Sequence, residues 1–239
     1  MADKKNFAAV PKQMVDNFVS DLDDLRARMI LPSEPHYDEK ALTLFLLIRF
    51  YANCSFDFYT NEYMLCELMG LSTRAENRES IMSNILRMQE DELLTIKRYP
   101  GKKFFCIELN YEAFMTTTDF VKIYKEEYDA LISDKSRDKL FLILYCVKKF
   151  RHGKSDISFP SIETIMDSSH ISKPTICKGL EKLDGVLYIY KARINFNDGT
   201  SKDVNYYKPR AAGNGISREA LEGIVKKYYS NVKSITERR

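Results

Sequence analysis

No two cysteines in this chain stand in a C-x-x-C pair, and the five present (Cys54, Cys66, Cys106, Cys146 and Cys177) are scattered and odd in number. That leaves no zinc framework and no disulfide ladder to read, and it points to a reducing, cytoplasmic setting. Long apolar runs are missing too. The longest, Leu42 to Ile48 with Thr43 inside it, is far short of the roughly 20 residues a membrane-spanning helix needs. The opening Met-Ala-Asp-Lys-Lys leads into a mixed-charge stretch with none of the features of a secretory signal. The G-x-x-x-x-G-K-[ST], G-x-G-x-x-G and H-E-x-x-H patterns are all absent, and His36, His152 and His170 have no ligand spacing between them. Fifteen tyrosines leave a strand-nicking tyrosine open by inventory. The metal-binding histidine cluster that usually accompanies one is missing. The expectation is a protein without catalysis, cofactor, metal or membrane contact.

What is present is a chain of 239 residues, 44% hydrophobic and 30% charged, long enough for two domains with cores of their own. Its net charge of +3 conceals a division. Residues 1–135 hold 17 Lys/Arg against 23 Asp/Glu, whereas residues 136–239 hold 20 against 11. A basic half of this kind suits a polyanionic partner.

The basic half is the cleaner to read. Arg137 to Phe150 is an apolar helix with a basic end, followed by a short extended piece, Asp156 to Phe159, closed by Pro160. Ser161 caps a second helix over 162–167, and Ser172 caps a third, with Pro174 in its first turn. The third helix runs to about Leu183 and stops at Asp184-Gly185. Val186 to Asn195 alternates as a strand, Asn197-Asp198-Gly199 turns, and Asp203 to Lys208 returns. Helix, short strand, helix, helix, hairpin is the winged-helix order.

The first half repeats it. A helix over Glu39 to Ala52 precedes a short strand at Phe56 to Phe58, and Thr60 caps a helix over 61–69. A third helix, Glu79 to Gln89, carries Ile81, Ile85 and Met88 where the other half has Ile176, Leu180 and Leu183. Leu93 to Arg98 and Lys103 to Leu109 flank Tyr99-Pro100-Gly101-Lys102 as a second hairpin. Amphipathic helices are expected over 12–30 and Asp119 to Ile132, each packing on its neighbouring unit or, for the first, supplying a homodimer contact. A basic helix is expected over Ser217 to Ser234. The fold class is mainly α with small β-hairpins (α+β): two tandem winged-helix domains joined by a helix. The boundaries are 1–36 for the N-terminal helix, 37–110 for the first domain, 111–135 for the linker helix, 136–210 for the second domain and 211–239 for the linker and C-terminal helix.

With Ile176, Leu180 and Leu183 turned inward, helical geometry gathers Thr175, Lys178 and Lys182 on the other side, within about 60° of one another. Flanked by Lys173, this face suits a recognition helix in the major groove of double-stranded DNA. Lys191, Arg193, Lys202, Lys208 and Arg210 crowd the hairpin, with Tyr206 and Tyr207 beside them, and Lys148, Lys149, Arg151 and Lys154 add charge at the end of the first helix. Such a wing lies along the backbone or reaches a minor groove. In the first half the matching positions are Ser80, Ser83 and Arg87, led by Arg74, Asn77 and Arg78, with Arg98, Lys102 and Lys103 on the hairpin. Glu76, Glu79, Glu90, Asp91 and Glu92 surround them, so contact with DNA and contact with protein are equally open there. An aromatic platform for unpaired bases is not evident, because Tyr206 and Tyr207 sit on the wing.

The segment Ile171-Ser-Lys-Pro-Thr-Ile-Cys-Lys-Gly-Leu-Glu-Lys-Leu resembles the recognition-helix segment of many bacterial winged-helix proteins. It departs from them at Gly179, which weakens the helix centre by roughly 1 kcal/mol relative to alanine. Two such units in one chain resemble the replication initiators of plasmids, phages and integrative elements. The resemblance implies origin or operator binding without catalysis, a switch between dimer and monomer, host replication proteins as further partners and a nucleoid-associated location. A transcriptional regulator with the same binding mode is the nearest alternative. A protein-interaction module resembling the accessory subunits of condensin is a second, and an RNA-binding winged helix a third.

Overall fold

The computed structural model of the chain describes residues 7–11, 37–53, 55–110, 120–151 and 156–237. The helix expected over 12–30, with His36, Cys54, His152 and Lys154, lies outside the described residues. Among those described are eight α-helices and three small antiparallel sheets, a mixed α and β chain. It divides into two compact units, residues 1–142 and 143–239. None of the described helices is long and apolar enough to cross a membrane.

In the first unit, strand β1 (Phe7–Pro11) precedes helix α1 (Ala41–Tyr51), whose residues Ala41 to Ile48 are all buried. All-round burial is why this stretch reads as an apolar run interrupted only by Thr43. Asp38 holds its start. The Asp38 carboxylate accepts from the Lys40 N–H at 2.8 Å and from Asn84 Nδ2 at 2.8 Å, and the Asp38 N–H donates to Asn84 Oδ1 at 3.1 Å. Strand β2 (Asp57–Thr60) leads into helix α2 (Glu62–Leu68). The cap of α2 is Asn61, whose Oδ1 accepts from the Met64 N–H at 2.9 Å, and not Thr60, which is buried at the end of β2.

Helix α3 (Ala75–Glu90) starts four residues before Glu79. Its first turn, Ala-Glu-Asn-Arg, offers no large apolar residue to mark it; Asn77 steadies it by donating to the Ser72 carbonyl at 2.9 Å. Ile81, Ile85 and Met88 are fully buried, as their spacing requires. Strands β3 (Leu94–Arg98) and β4 (Phe105–Leu109) form the hairpin, and β2 pairs on the far side of β4, in the order β2-β4-β3.

The helix expected over Asp119 to Ile132 is shorter. Phe120–Tyr124 is strand β5, antiparallel to β1, and only Lys125–Leu131 is helical (α4). Val121 and Ile123 are buried while Lys122 between them is half-exposed, a period of two, and β-branched residues favour the extended chain. Tyr128 of α4 stacks on Phe141 of helix α5 (Arg137–Lys149), ring centres 5.8 Å apart. The division between the units falls within α5.

In the second unit the short extended piece is reduced to Ser158, which exchanges backbone hydrogen bonds with Tyr207 at 2.9 and 2.8 Å. Helix α6 (Ile162–Ser169) is capped by the Ser161 hydroxyl, which accepts from the Thr164 N–H at 3.1 Å. Ser172 holds the N-cap of helix α7 (Lys173–Lys182), its hydroxyl 3.0 Å from the Thr175 hydroxyl instead of on the backbone. Strands β6 (Leu187–Phe196) and β7 (Ser201–Pro209) meet at a turn where Gly199 takes φ +83°, and Asp198 accepts from the Thr200 N–H at 2.9 Å.

The C-terminal helix is also shorter than expected. Helix α8 covers Arg218–Tyr228, the chain turns at Asn231 (φ +59°), and Val232–Glu237 forms strand β8 against β6. Leu221 and Val225 of α8 pack in one core with Ile157, Ala192, Ile194, Val204 and Tyr206. Strand propensity in Val-Lys-Ser-Ile-Thr and an open edge on β6 outweigh the helical periodicity that Ser217 starts. Leu221→Ala is expected to lower the unfolding free energy by about 2–5 kcal/mol, and Asn84→Ala by about 1–3 kcal/mol, through its pairing with Asp38. Urea unfolding of the full chain measures both, and an unchanged midpoint for either variant contradicts its place in the packing.

Candidate nucleic-acid interface

Ile176, Leu180 and Leu183 are buried beneath α7, and Gly179 beside them is buried too. The helix therefore lies close to its neighbours at its centre, where the sequence shows only a weak helix former. Lys173, Lys178 and Lys182 are exposed, and Thr175 is half-buried at the edge. The exposed side is wider than the Thr-Lys-Lys stripe, since Pro174, Cys177 and Glu181 share it. Glu181 places a carboxylate among the lysines. Lys173 is held by Glu163 at 3.3 Å, and the backbone N–H of Glu163 itself, with that ammonium, keeps the Glu163 carboxyl below its ordinary range.

The hairpin splits its basic residues between two faces. Arg193 lies opposite Asp203 and Lys191 opposite Asn205, and directly opposed residues of an antiparallel pair share a face. Lys202, Val204, Tyr206 and Lys208 alternate onto the other face, the one α8 covers. Lys202 sits over the Tyr229 ring at 5.2 Å, and Lys208 donates to the carbonyls of Asn214 and Gly215. Arg210 donates to the Asp184 carbonyl at 2.7 Å and stacks on Tyr188 at 4.3 Å. Three of the five hairpin cations are thus occupied in joining the hairpin to its surroundings.

Lys191 is exposed and has no ion pair or hydrogen bond among the described residues. Arg193 is exposed but gripped by Asp203 through two bonds, at 2.8 and 3.1 Å, which raise its pKa further. Tyr207 lies on the same face of β7 as Asn205, whose side-chain amide donates to its hydroxyl at 3.3 Å.

Three expected surface groups are interior. Tyr206 and Tyr207 are 0% exposed, and burial pushes the Tyr207 phenol up to about 12. Lys148 is buried in α5. The period-two alternation of β7 turns Tyr206 under α8.

In the first unit the structure commits most of the matching residues elsewhere. Arg78 donates to the Tyr63 hydroxyl at 2.9 Å and lies 4.6 Å over its ring. Arg87 lies near Asp91 and Glu90 and over Tyr37. Ser80 donates to Asp38 and accepts from Lys40, so it is not an outward reading position. Ser83 is half-buried, while Arg74, Lys102 and Lys103 are exposed.

The sequence reading missed an aromatic group here: Tyr59, Tyr63, Tyr99 and Phe104 are 53%, 52%, 38% and 41% exposed. Tyr59, Lys97 and Tyr99 fall on the solvent side of their strands by alternation, a signal that needed only the register. Asp57, Cys106 and Glu108 bring ligand-type atoms within 4.8 Å of one another on the same sheet. Lys97 already pairs with Glu108, and burial pushes the Cys106 thiol up, so the group serves as a cross-strand ion pair.

Compared with models of protein families and with curated proteins, the chain matches none.

If Asp203 masks Arg193, Asp203→Asn should bind heparin more tightly than Asp167→Asn, which changes the net charge equally but frees no cation. Elution from a heparin column in a salt gradient measures it. Coincident peaks for the two variants mean that Arg193 contributes nothing to the polyanion-facing surface.

Proposed function

We propose that the chain binds double-stranded DNA through two tandem winged-helix units, the second making most of the contact, and that it acts as a replication initiator of a bacterial mobile element. The observation that carries the DNA reading is the exposed lysines of α7 together with the exposed Lys191/Arg193 face of the hairpin, in one unit with 18 Lys/Arg against 10 Asp/Glu. Lys178 and Lys182 enter the major groove with Thr175 at their edge, and Lys191 and Arg193 meet phosphates or a minor groove. Lys202, Lys208 and Arg210 hold the wing in place. Lys173 adds charge once it leaves Glu163.

The winged-helix reading is supported by the same element order in both units and by a shared pairing. In each, the segment between the first two helices bonds to the second strand of the hairpin: β2 to β4, and Ser158 to β7. The role in replication rests on the likeness to initiators with two such units. A regulator would use the same residues, and direct repeats at a neighbouring origin, as against a promoter operator, distinguish the two.

Binding to duplex fragments from the gene's own neighbourhood, followed by mobility shift across a salt series, tests the reading. For Lys178→Glu/Lys182→Glu the expected result is at least about thirtyfold weaker binding, with the slope of log K against log salt reduced by about 2. Undiminished retention removes α7 from the interface. Equal affinity for every fragment removes the sequence-specific role.

A further inference from the structure

The outer face of the β2-β4-β3 sheet carries exposed rings where a solvent-facing sheet ordinarily carries polar side chains. Tyr59 and Lys97 flank Cys106 in register across the three strands, and Tyr99 and Phe104 continue the same alternation beyond the strand ends. Phe104 is the centre of the group. Its ring lies 6.4 Å from Tyr59, edge-on, and 5.8 Å from Tyr99. The Tyr99 phenol beside it helps push the Tyr59 phenol up to about 12. The two tyrosines meet through the Phe104 ring, while roughly two-fifths to half of each of the three remains open.

Charge surrounds this group unevenly. At the loop end stand Arg98, Lys102 and Lys103, which line, with Tyr63, Tyr99 and Phe104, a hollow of about 780 Å³ between the hairpin and the start of α2. At the opposite end Asp57 and Glu108 face each other, with Lys97 on Glu108. A polyanion is therefore drawn to the loop end and repelled from the other. Exposed rings bordered by cations provide both contacts that an unpaired nucleic-acid strand makes: stacking for its bases and charge for its phosphates. A duplex offers no base faces to such rings, and an acidic peptide would leave them unused.

We propose that this face of the first unit binds single-stranded nucleic acid, with bases stacked on Tyr59, Phe104 and Tyr99 and phosphates on Lys102, Lys103 and Arg98. It adds a second, separate activity to a chain whose other unit is assigned to duplex DNA, and it does not rest on that assignment. Stacking discriminates little between bases, so the site takes pyrimidine tracts of DNA or RNA by the same contacts.

The experiment is fluorescence anisotropy of labelled oligo-dT and oligo-U with the full chain, in the Lys178→Glu/Lys182→Glu background so that α7 does not contribute. Binding of either oligonucleotide is expected, and the two arms tell DNA from RNA. Phe104→Ala and Tyr59→Ala should each weaken it roughly tenfold. Phe104→Leu keeps the apolar bulk but removes the ring face, and should weaken it as much with an unchanged melting temperature. Lys102→Gln/Lys103→Gln should reduce the salt slope by about 1.4. Absence of binding to both oligonucleotides overturns the proposal, as does binding that Phe104→Leu leaves unchanged. Loss of duplex binding alone leaves it intact.

Discussion

Each unit depends on one backbone pairing, in which the segment between its first two helices bonds to the second strand of its hairpin. In the first unit four residue pairs from Asp57 to Thr60 do this, and in the second a single bridge at Ser158 suffices. The pairing fastens the hairpin to the helices, because neither a two-stranded ribbon nor a short helix is stable alone in water. It also determines which strand face turns inward. Val204 and Tyr206 turn toward the core that α8 closes, and Lys191 and Arg193 lie on the opposite face because their partners on β7 alternate with those two.

The two units use the same plan with opposite emphasis. In the second, α8 covers one face of the hairpin and β8 extends it, leaving the opposite face polar and basic. In the first, the outer face of the sheet stays open and carries rings. The arginines of α3 are drawn to carboxylates and rings within their own unit. A cation held in this way can still meet an external anion, but it must first give up a partner. Lys178 and Lys191, which have no such partner among the described residues, carry the least of that penalty.

Ion pairs on this surface therefore set which charges are available more than they stabilise the fold. Exposed pairs contribute little to folding because water and salt screen them. Arg193 with Asp203, Lys173 with Glu163 and Lys97 with Glu108 are all of this exposed kind. Counting lysines and arginines along the chain overstates the usable charge of the hairpin, since Lys202, Lys208 and Arg210 are occupied around α8 and Asp184.

Local physics was legible in the sequence. The cap at Ser161, the inward faces of α3 and α7, the turn at Asn197-Asp198-Gly199 and the order of elements all rest on interactions spanning a few residues, which periodicity and capping chemistry reveal. Partner choice among strands was not legible. Phe120–Tyr124 reads as the start of an amphipathic helix and Val232 to Ser234 as the end of a basic one, and both became strand because distant edges, β1 and β6, were there to receive them. Burial of Tyr206 and Tyr207, the division of the wing lysines between two faces and the gathering of Tyr59, Tyr99 and Phe104 were likewise decided by the tertiary structure. Each depends on a strand register between residues far apart in sequence, and a shift of one residue reverses every side chain from one face to the other.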